Sequence, residues 1–378
     1  MSGPSILPRA LLALTLAVLP STAAHAEPTP AEARLVLDEA APSRDGWLTG
    51  LQRRQGLRLT LDTSSRANYA TNSDAFSGVH ALGLDLHRVF GGRRGDWGTL
   101  LVQTYLTKLD DAVKRPPFFE DEDDWELVYR IVRLDITSLS RGGFNIRLGH
   151  VELPYGLEHS INTNGTLRDF NHGRNLGVKA DWGVGVHGRL PALSYELTLT
   201  RGSGNEYFDR DDPFALTARV STPTDRNLVL GVSAFHGEVA NPGAIATWRA
   251  GRADADAAPD VGTTLRRTRF GVDVRRDVRS LTWLGELSVG RDREQDVVNA
   301  LLELDWRGPA EKLMVHVRGQ AFFQDFSRGW VDDVSLVLGL RRSVGRHWAL
   351  SAQVTQNLTS FGDGPRGAVL STQVRHRF

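Results

Sequence analysis

The sequence predicts an all-β fold: a transmembrane, antiparallel, up-and-down β-barrel of about 16 strands, with counts of about 14 or 18 also compatible with the pattern. Three observations predict this fold. Apolar and polar residues alternate with a period of two along much of residues 56–378, and the connections between these segments alternate between long and short. The chain also ends on Phe378, directly after an alternating segment, which is typical of bacterial outer-membrane barrels.

The amino-acid composition excludes several other classes of protein and of functional site. The 378 residues include 45 basic and 45 acidic side chains and no cysteine. The neutral balance argues against a nucleic-acid binder that works through bulk charge, and the lack of cysteine excludes disulfide scaffolds, thiolate metal sites and cysteine nucleophiles. The hydrophobic fraction of 40% is low for a helical membrane protein, but it suits a barrel whose two faces alternate.

The N-terminal residues have the pattern of a secretory signal peptide. Arg9 precedes the apolar run 10–19, and Ala24-His25-Ala26 precedes Glu27 as a small-x-small cleavage site. The apolar run is too short for a membrane anchor, which needs about 20 residues. We therefore expect a signal peptide at 1–26, a periplasmic N-terminal segment at 27–55 and an outer-membrane β-barrel at 56–378.

The alternating segments define the candidate strands. They cover residues 56–64, 79–89, 96–107, 125–137, 143–151, 174–189, 193–202, 213–220, 227–237, 264–275, 280–290, 297–306, 311–324, 333–343, 347–358 and 366–378. The longer connections cover 65–78, 108–124, 152–173, 203–212 and 238–263, with shorter members on the same side near 291–296, 325–332 and 359–365. Short periplasmic turns opposite longer external loops are the wiring of a transmembrane barrel with both termini in the periplasm.

Aromatic residues mark the short-turn side of the predicted barrel. Amphipathic rings prefer the boundary between headgroups and hydrocarbon, so residues clustered at one end of the strands predict an interfacial girdle. The expected girdle residues are Trp97, Phe144, Tyr195, Trp283, Trp306, Trp348 and Phe378.

A barrel of this size predicts a water-filled lumen lined by charge. Hydrocarbon cannot satisfy an open strand edge, so the sheet must close, and about 16 strands leave an aqueous channel. A charge facing lipid at the midplane costs roughly 2–4 kcal/mol, so charged residues on strands should point inward. The expected lining residues are Arg58, Arg133, Arg147, Lys179, Arg219, Arg269, Arg275, Lys312, Arg318, Arg341, Arg375, Glu196, Glu286 and Glu303.

Two interpretations of these inward charges are open. In the first, Arg318, Arg341, Arg375 and Arg58 form a basic wall and Glu286, Glu303 and Asp305 form an acidic patch, giving a transverse field that orients solutes. Alternatively, the inward charges only pair with one another and solvate the wall. Arg130 falls on the lipid-facing side of its strand in this register, which indicates either a bulge or a subunit contact.

The segment around residues 147–204 carries a family resemblance. It contains RLGHVELPYGLE, then GRNLGVKADWGVGVHG and the strand SYELTLTRGSGN. This combination resembles the phosphate-selective porin O/P family, in which a strand ending in G-x-x-x-x-P-[FY]-G-L-E leads into a loop, an R-x-[IL]-G-V strand and a Gly-rich hairpin. The rest of the mature chain agrees in architecture only.

The resemblance implies a 16-stranded trimeric barrel whose third external loop folds inward and narrows the pore. By position that loop is 152–173, and its candidate constriction residues are Glu152, Pro154, Tyr155, Gly156, Glu158, Arg168 and Asp169. Family members that select phosphate do so with lysines and an arginine ladder. Here Glu152 precedes the Leu-Pro pair and Lys179 is the one lysine nearby, so phosphate, another anion and a neutral nutrient all stay open as solutes.

Three further motifs carry less weight. Residues 183–188 match G-x-G-x-x-G, but a strand follows instead of the helix that a dinucleotide site needs. The acidic residues at 120–124 and Asp209, Asp211 and Asp212 lack calcium-loop spacing and suit solvated external loops that meet lipopolysaccharide through divalent ions. His159, Ser160 and Asn162 resemble the Ser/His/Asn set of outer-membrane phospholipases, but neighbours on a strand point to opposite faces.

The sequence thus favours a passive porin without enzymatic activity or cofactor. The expected partners are outer-membrane lipid and lipopolysaccharide, small hydrophilic solutes or inorganic anions, and two further copies of the chain in a homotrimer. The alternatives are an occluded structural or adhesive barrel, a sheath around a cytochrome, and an outer-membrane hydrolase.

Overall fold

The computed structural model describes residues 56–92, 95–110, 125–137, 139, 143–163, 165–170, 175–204, 214–240, 264–308, 310, 312–326, 329–359 and 367–378. The expected signal peptide and periplasmic segment lie outside the described residues. The acidic residues at 120–124 and 209–212, and most of the connection at 238–263, also lie outside them.

Over the described ranges the chain forms sixteen β-strands and a short helix, α1 (Gly156–Ser160). The strands are β1 (Leu57–Ala70), β2 (Ala75–Gly92), β3 (Gly95–Asp110), β4 (Glu126–Ile136), β5 (Asn145–Glu152), β6 (Ala180–Arg189), β7 (Ser194–Thr200), β8 (Ala215–Ser221), β9 (Leu228–Ala240), β10 (Thr264–Val278), β11 (Leu281–Asp292), β12 (Gln295–Arg307), β13 (Leu313–Phe326), β14 (Gly329–Val344), β15 (Trp348–Asn357) and β16 (Ala368–Arg377). Among these residues, none of the helical segments has the length and apolar character needed to cross a membrane.

The strands form one closed barrel. Each pairs antiparallel with its sequence neighbours, and β1 pairs with β16 from Asp62 opposite Arg377 to Ala70 opposite Val369. The closing seam continues to the last residue, since Leu61 and Phe378 exchange backbone hydrogen bonds of 2.9 Å in both directions. The predicted fold class, an up-and-down barrel of sixteen strands, is confirmed.

The side chains are distributed inside out relative to a water-soluble protein. On β14, Leu336 and Leu338 point outward and are 50% and 55% exposed, whereas Asp333, Ser335 and Val337 point inward and are buried. The same alternation recurs around the barrel, so its outer surface is a continuous apolar belt. An exposed apolar surface of this extent is stable in contact with hydrocarbon and unstable in water.

Two predicted strand ends are displaced by six residues, the end of β1 and the start of β6. The connection expected at 65–78 is a turn at 71–74, because β1 and β2 continue through polar residues beyond the apolar belt, where hydrophobic alternation no longer marks a strand. The strand expected at 174–189 begins at Ala180, because Asn175 to Lys179 belong to the preceding connection and Gly177 has a φ of +91°. That conformation is incompatible with a regular strand.

Arg130 lies at a β-bulge. Gln103 of β3 faces Ile131 and the next residue, Thr104, faces Tyr129, so Arg130 is left over in β4. The extra residue rotates the side chain out of the alternating pattern, and the Arg130 guanidinium donates to Tyr105 Oη (3.3 Å) and Asn162 Oδ1 (3.1 Å) inside the barrel. Of the two sequence interpretations, the bulge is confirmed.

Aromatic residues lie at both ends of the barrel. The seven residues predicted for the girdle all lie at the short-turn end, and six of them are at least 40% exposed. A second group, which was not predicted from the sequence, lies at the opposite end, where strands begin after the other set of connections. This group comprises Phe76, Trp125, Phe214 and Trp330, all exposed.

Candidate functional site: a loop inside the barrel

The candidate site is built by the connection between β5 and β6, residues 153–179, which we call the inserted loop. All of it is described except residues 164 and 171–174. Near its start, Gly156 N donates to Ser233 Oγ of β9 (3.1 Å), and further along, Arg66 of β1 donates to the carbonyl of Thr166 (2.8 Å). Because β9 and β1 are opposite in a sixteen-stranded barrel, the described part of the loop crosses the lumen.

Apolar packing fixes one side of the inserted loop to the wall. Tyr155 is fully buried in a cluster with Phe235 of β9 and Leu265 of β10, and its hydroxyl lies 2.5 Å from Ser288 Oγ. A second cluster joins Leu157 and Phe170 of the loop to two further residues of the wall, Leu284 of β11 and Leu301 of β12. These wall residues are apolar although they face inward. Water in the lumen would not favour apolar side chains there, and the inserted loop covers them.

Glu286 of β11 is the central polar anchor. Its Oε2 accepts a hydrogen bond from the backbone N–H of Leu157 (2.8 Å), and its Oε1 accepts one from the amide of Asn175 (2.9 Å). Asn299 of β12 donates to Asn175 Oδ1 (2.6 Å), so both ends of the loop are held at one place. Because these groups are buried, each loop donor would be left unpaired without Glu286, at a cost of about 1–3 kcal/mol.

Gly156 permits this approach. Its φ is +59°, and a Cβ atom at this position would collide with the Glu286 carboxylate. A side chain here would meet both a strained backbone and the anchor, so the Pro154-Tyr155-Gly156 run of the motif has a direct physical role.

A second anchor lies further along the loop. The Arg168 guanidinium pairs with Glu303 and with Asp305 Oδ2 (3.0 Å), both on β12. The ring of Phe170 is 5.1 Å from the Arg168 guanidinium carbon and 5.9 Å from that of Arg318. The residues predicted as an acidic patch, Glu286, Glu303 and Asp305, are therefore neighbours, but each contacts the inserted loop.

A third ionic group joins parts of the loop to one another. Lys179 Nζ lies 2.8 Å from Glu158 Oε1 and 2.6 Å from Asp169 Oδ1. Enclosure within the barrel opposes the charged form of Lys179, although its side chain is 44% exposed, and Asp169 and Glu158 outweigh this effect and raise the Lys179 pKa above its ordinary value. The same enclosure opposes the ionisation of Asp169, whose side chain is 72% exposed, and Lys179 outweighs it and lowers the Asp169 pKa. Both groups therefore stay charged over a wide pH range.

Most of the predicted lining arginines face inward and pair with carboxylates of the wall. Arg219 pairs with Asp273 (2.8 Å), and Arg147 with Asp135 (2.7 Å) and Glu196. The further inward pairs among the predicted residues are Arg133–Asp135, Arg269–Asp292, Arg275–Asp277, Arg318–Glu303 and Arg375–Asp62. Arg58 and Arg341 lie at inward positions of β1 and β14, and Lys312 is exposed in the turn before β13.

Two of the four arginines expected in the basic wall are thus paired with carboxylates. Arg318 and Arg375 have carboxylate partners on neighbouring strands, which agrees with the interpretation that inward charges pair with one another. Arg133–Asp135 and Arg275–Asp277 each lie two residues apart on one strand. The other pairs join different strands, so the sequence shows them only once the register is known.

The three residues compared with a phospholipase site are not joined. His159 Nε2 lies 3.6 Å from Glu196, Ser160 Oγ donates to the carbonyl of Leu157 (3.0 Å), and Asn162 Oδ1 accepts from Arg130. The G-x-G-x-x-G match at 183–188 lies within β6 and continues into the hairpin to β7, without a helix after it.

Comparison with known proteins shows likeness of fold. No protein-family model and no curated protein matches the chain. Among solved structures it is similar to OprB of Pseudomonas putida, with 9% identity, a TM-score of 0.62 and coverage of 88% of this chain and 96% of that one. The anion-selective porin of Comamonas acidovorans is similar at 11% identity and a TM-score of 0.55, with 85% and 99% covered. The trimer form of OmpT, an outer-membrane protein of Vibrio cholerae, is similar at 10% identity and a TM-score of 0.57, again with 85% and 99% covered. The chain shares the barrel fold of these outer-membrane proteins.

Proposed function

We propose that the mature chain is an outer-membrane channel through which small hydrophilic solutes and ions diffuse passively. One observation carries the proposal: the outer surface of the closed barrel is apolar, and the inner surface is lined by charged and polar groups. Such a barrel is stable where hydrocarbon surrounds it, and sixteen strands enclose an interior wide enough for water.

The inserted loop is proposed to form the constriction of this channel. Its contacts with Ser233 of β9 and Arg66 of β1 support a position across the lumen. Inward residues of β15, such as Ser351 and Gln353, are only partly buried. This arrangement favours a narrowed passage over a sealed barrel, and over a sheath that has to accommodate a second protein.

The selectivity is proposed to be a weak preference for anions. Arginines dominate the basic residues of the lining, but carboxylates such as Asp135, Glu196 and Asp273 neutralise many of them. The fold likeness to the anion-selective porin supports an anion preference. Phosphate is one candidate anion, on the motif that resembles phosphate-selective porins, and the single lysine at the loop, Lys179, favours a broader range of anions.

The location and assembly follow the same proposal. Residues 1–26 are proposed to direct export and to be removed, 27–55 to remain in the periplasm with both termini, and 56–378 to form the barrel in the outer membrane. The apolar belt is proposed to contact lipid, and the external connections to contact lipopolysaccharide. A homotrimer is supported by the fold likeness to the trimer form of OmpT.

Planar-bilayer recording of the refolded mature chain tests the function. We expect stepwise conductance and a reversal potential in a KCl gradient that indicates a weak preference for chloride. Added inorganic phosphate should reduce the chloride current if phosphate occupies the passage. Heat-modifiable migration in gels shows whether the barrel is folded. If folded barrels give no conductance, the result contradicts the channel and favours an occluded structural barrel.

A further inference from the structure

A hydroxyl, an imidazole and a carboxylate are joined on the outer surface of the barrel. Ser65 of β1 and His80 of β2 are directly opposite in the sheet, and Ser65 Oγ lies 3.0 Å from His80 Nδ1. His80 Nε2 lies 2.9 Å from Asp110 Oδ2 of β3. All three side chains are on the outward face, and the His80 and Asp110 side chains are 36% and 45% exposed.

The hydrogen bonds assign a role to each group. An ionised carboxylate only accepts hydrogen bonds, so the Nε2 atom of His80 carries the proton that Asp110 accepts. Nδ1 is then the unprotonated nitrogen, and it accepts the hydrogen bond from the Ser65 hydroxyl. A nucleophile within reach of a base, with the base oriented by a third group, is the geometry of an activated serine.

The position on the barrel indicates the class of substrate. On the short-turn side of Ser65 the outward residues are apolar, including Leu61, Leu82 and Leu84. On the other side, the rings of Tyr69 and Phe76 lie 4.7 Å apart near the turn at 71–74. The three groups therefore lie where the apolar belt ends, which is the depth of the ester bonds that join acyl chains to lipid headgroups.

Two neighbours complete the geometry. Gly78 lies between His80 and Asp110, and a Cβ atom there would be 3.1 Å from His80 Nε2 and 3.3 Å from Asp110 Cβ, so glycine leaves room for the pair. Lys108 is directly opposite His80, and its Nζ is 3.4 Å from Asp110 Oδ1. Backbone N–H groups in the middle of a sheet are already paired, so oxyanion stabilisation is assigned to a side-chain cation, Lys108, which lies on β3, two strands from Ser65.

We propose that Ser65, His80 and Asp110 form a site that hydrolyses carboxylic esters of membrane lipids. Ser65 Oγ attacks the ester carbonyl carbon while its proton moves to His80 Nδ1, and the tetrahedral oxyanion is stabilised by Lys108. Collapse breaks the bond to the alkoxide, which takes the proton from His80 and leaves an acyl group on Ser65. A water molecule, deprotonated by His80, releases that acyl group, so one ester and one water give one carboxylic acid and one alcohol. Asp110 is a positioning residue that fixes the tautomer of His80.

The test labels the refolded mature chain with an alkyl fluorophosphonate, which phosphonylates activated serines, and measures hydrolysis of a long-chain p-nitrophenyl ester and of phosphatidylethanolamine vesicles. We expect the label on Ser65 by mass spectrometry. We also expect hydrolysis to fall by at least about 100-fold in Ser65→Ala and His80→Ala. Asp110→Asn should lower the rate and change its pH profile, and Asp110→Glu should restore part of it.

A matched control exists on the opposite side of the barrel. His236 Nδ1 lies 2.9 Å from Thr268 Oγ1, also on the outer face, and His236→Ala should keep full labelling and hydrolysis. Heat-modifiable migration confirms that each variant is folded. No label at Ser65, or hydrolysis that persists in Ser65→Ala, would overturn the proposal. Conductance is recorded separately, so the channel function and the hydrolytic site are tested independently of each other.

Discussion

The backbone N–H of Leu157 donates a 2.8 Å hydrogen bond to Oε2 of Glu286, which joins a loop residue to a wall residue 129 positions later in the chain. The same carboxylate accepts from Asn175, near the end of the loop. One side chain of β11 thus fixes both the beginning and the end of the inserted loop, which makes Glu286 the most informative position to change.

Glu286→Gln should loosen the inserted loop without unfolding the barrel. The amide has one acceptor oxygen where the carboxyl group has two, so one buried donor of the loop loses its partner, which costs about 1–3 kcal/mol. We expect larger and noisier single-channel currents. Glu238→Gln is the control, because Glu238 pairs with Arg266 on the outer surface and should leave the currents unchanged. Unaltered currents in Glu286→Gln would contradict the anchoring role.

Gly156→Ala should have a similar effect through a different cause. The backbone at φ +59° costs about 1–2 kcal/mol for a residue with a Cβ atom, and that atom displaces the Glu286 carboxylate. Limited proteolysis of the folded barrel should cut within 153–179 faster than in the unchanged protein. The control is Gly319→Ala on β13, where a Cβ atom meets Leu336 at an ordinary 3.6 Å. Equal cleavage rates for the two variants would argue against the strained glycine.

Arg168→Met should destabilise the loop most. It removes one of the two arginines that pair with the fully buried carboxylate of Glu303, the other being Arg318 at 3.6 Å. Breaking a buried pair costs about 3–5 kcal/mol. Arg266→Met removes an exposed pair and should cost less than about 1 kcal/mol. Hydrogen exchange of the loop amides measures the difference. Adding Glu303→Gln to Arg168→Met should restore part of the protection, and a purely additive result would contradict the pairing.

Lys179→Met should shift the channel towards cations. It removes the cation between Glu158 and Asp169 and leaves a net negative pair in the loop. Because the pKa of Lys179 is raised, its charge is complete below its ordinary value and is lost only as pH rises through the raised value. Titration of Lys179 should therefore not change the reversal potential of the unchanged protein between about pH 6 and 9. Lys179→Arg keeps the charge and serves as control, and a reversal potential that is equal in all three proteins would exclude a role for this cation.

The wall of the barrel was predictable from the sequence because its pattern is local. The inward position of Arg375 and the outward position of Leu370 follow from alternation on a single strand. Arg130 falls on the lipid-facing side by alternation alone, and this misfit indicated the bulge that the structure confirms, although it did not separate a bulge from a subunit contact.

The position of the inserted loop in the chain was predictable from the sequence, but the wall residues that it contacts were not. The resemblance placed it at 152–173, whereas its partners lie on strands far away in the chain. One signal was available: Phe235, Leu284 and Leu301 are apolar at inward positions, and apolar residues facing a lumen indicate that something packs against them. The outward site on Ser65, His80 and Asp110 had no such signal, because three strands must be aligned before the groups meet.

The seam between β1 and β16 makes assembly an all-or-none event. Leu61 and Phe378 bond to each other at the edge of that seam, so a chain cut short of β16 exposes two bare sheet edges, one on β1 and one on β15. In hydrocarbon each orphaned backbone group costs several kcal/mol, and such a fragment has no stable place in the bilayer. We therefore expect the barrel to insert into the membrane only after β16 has been synthesised and can pair with β1.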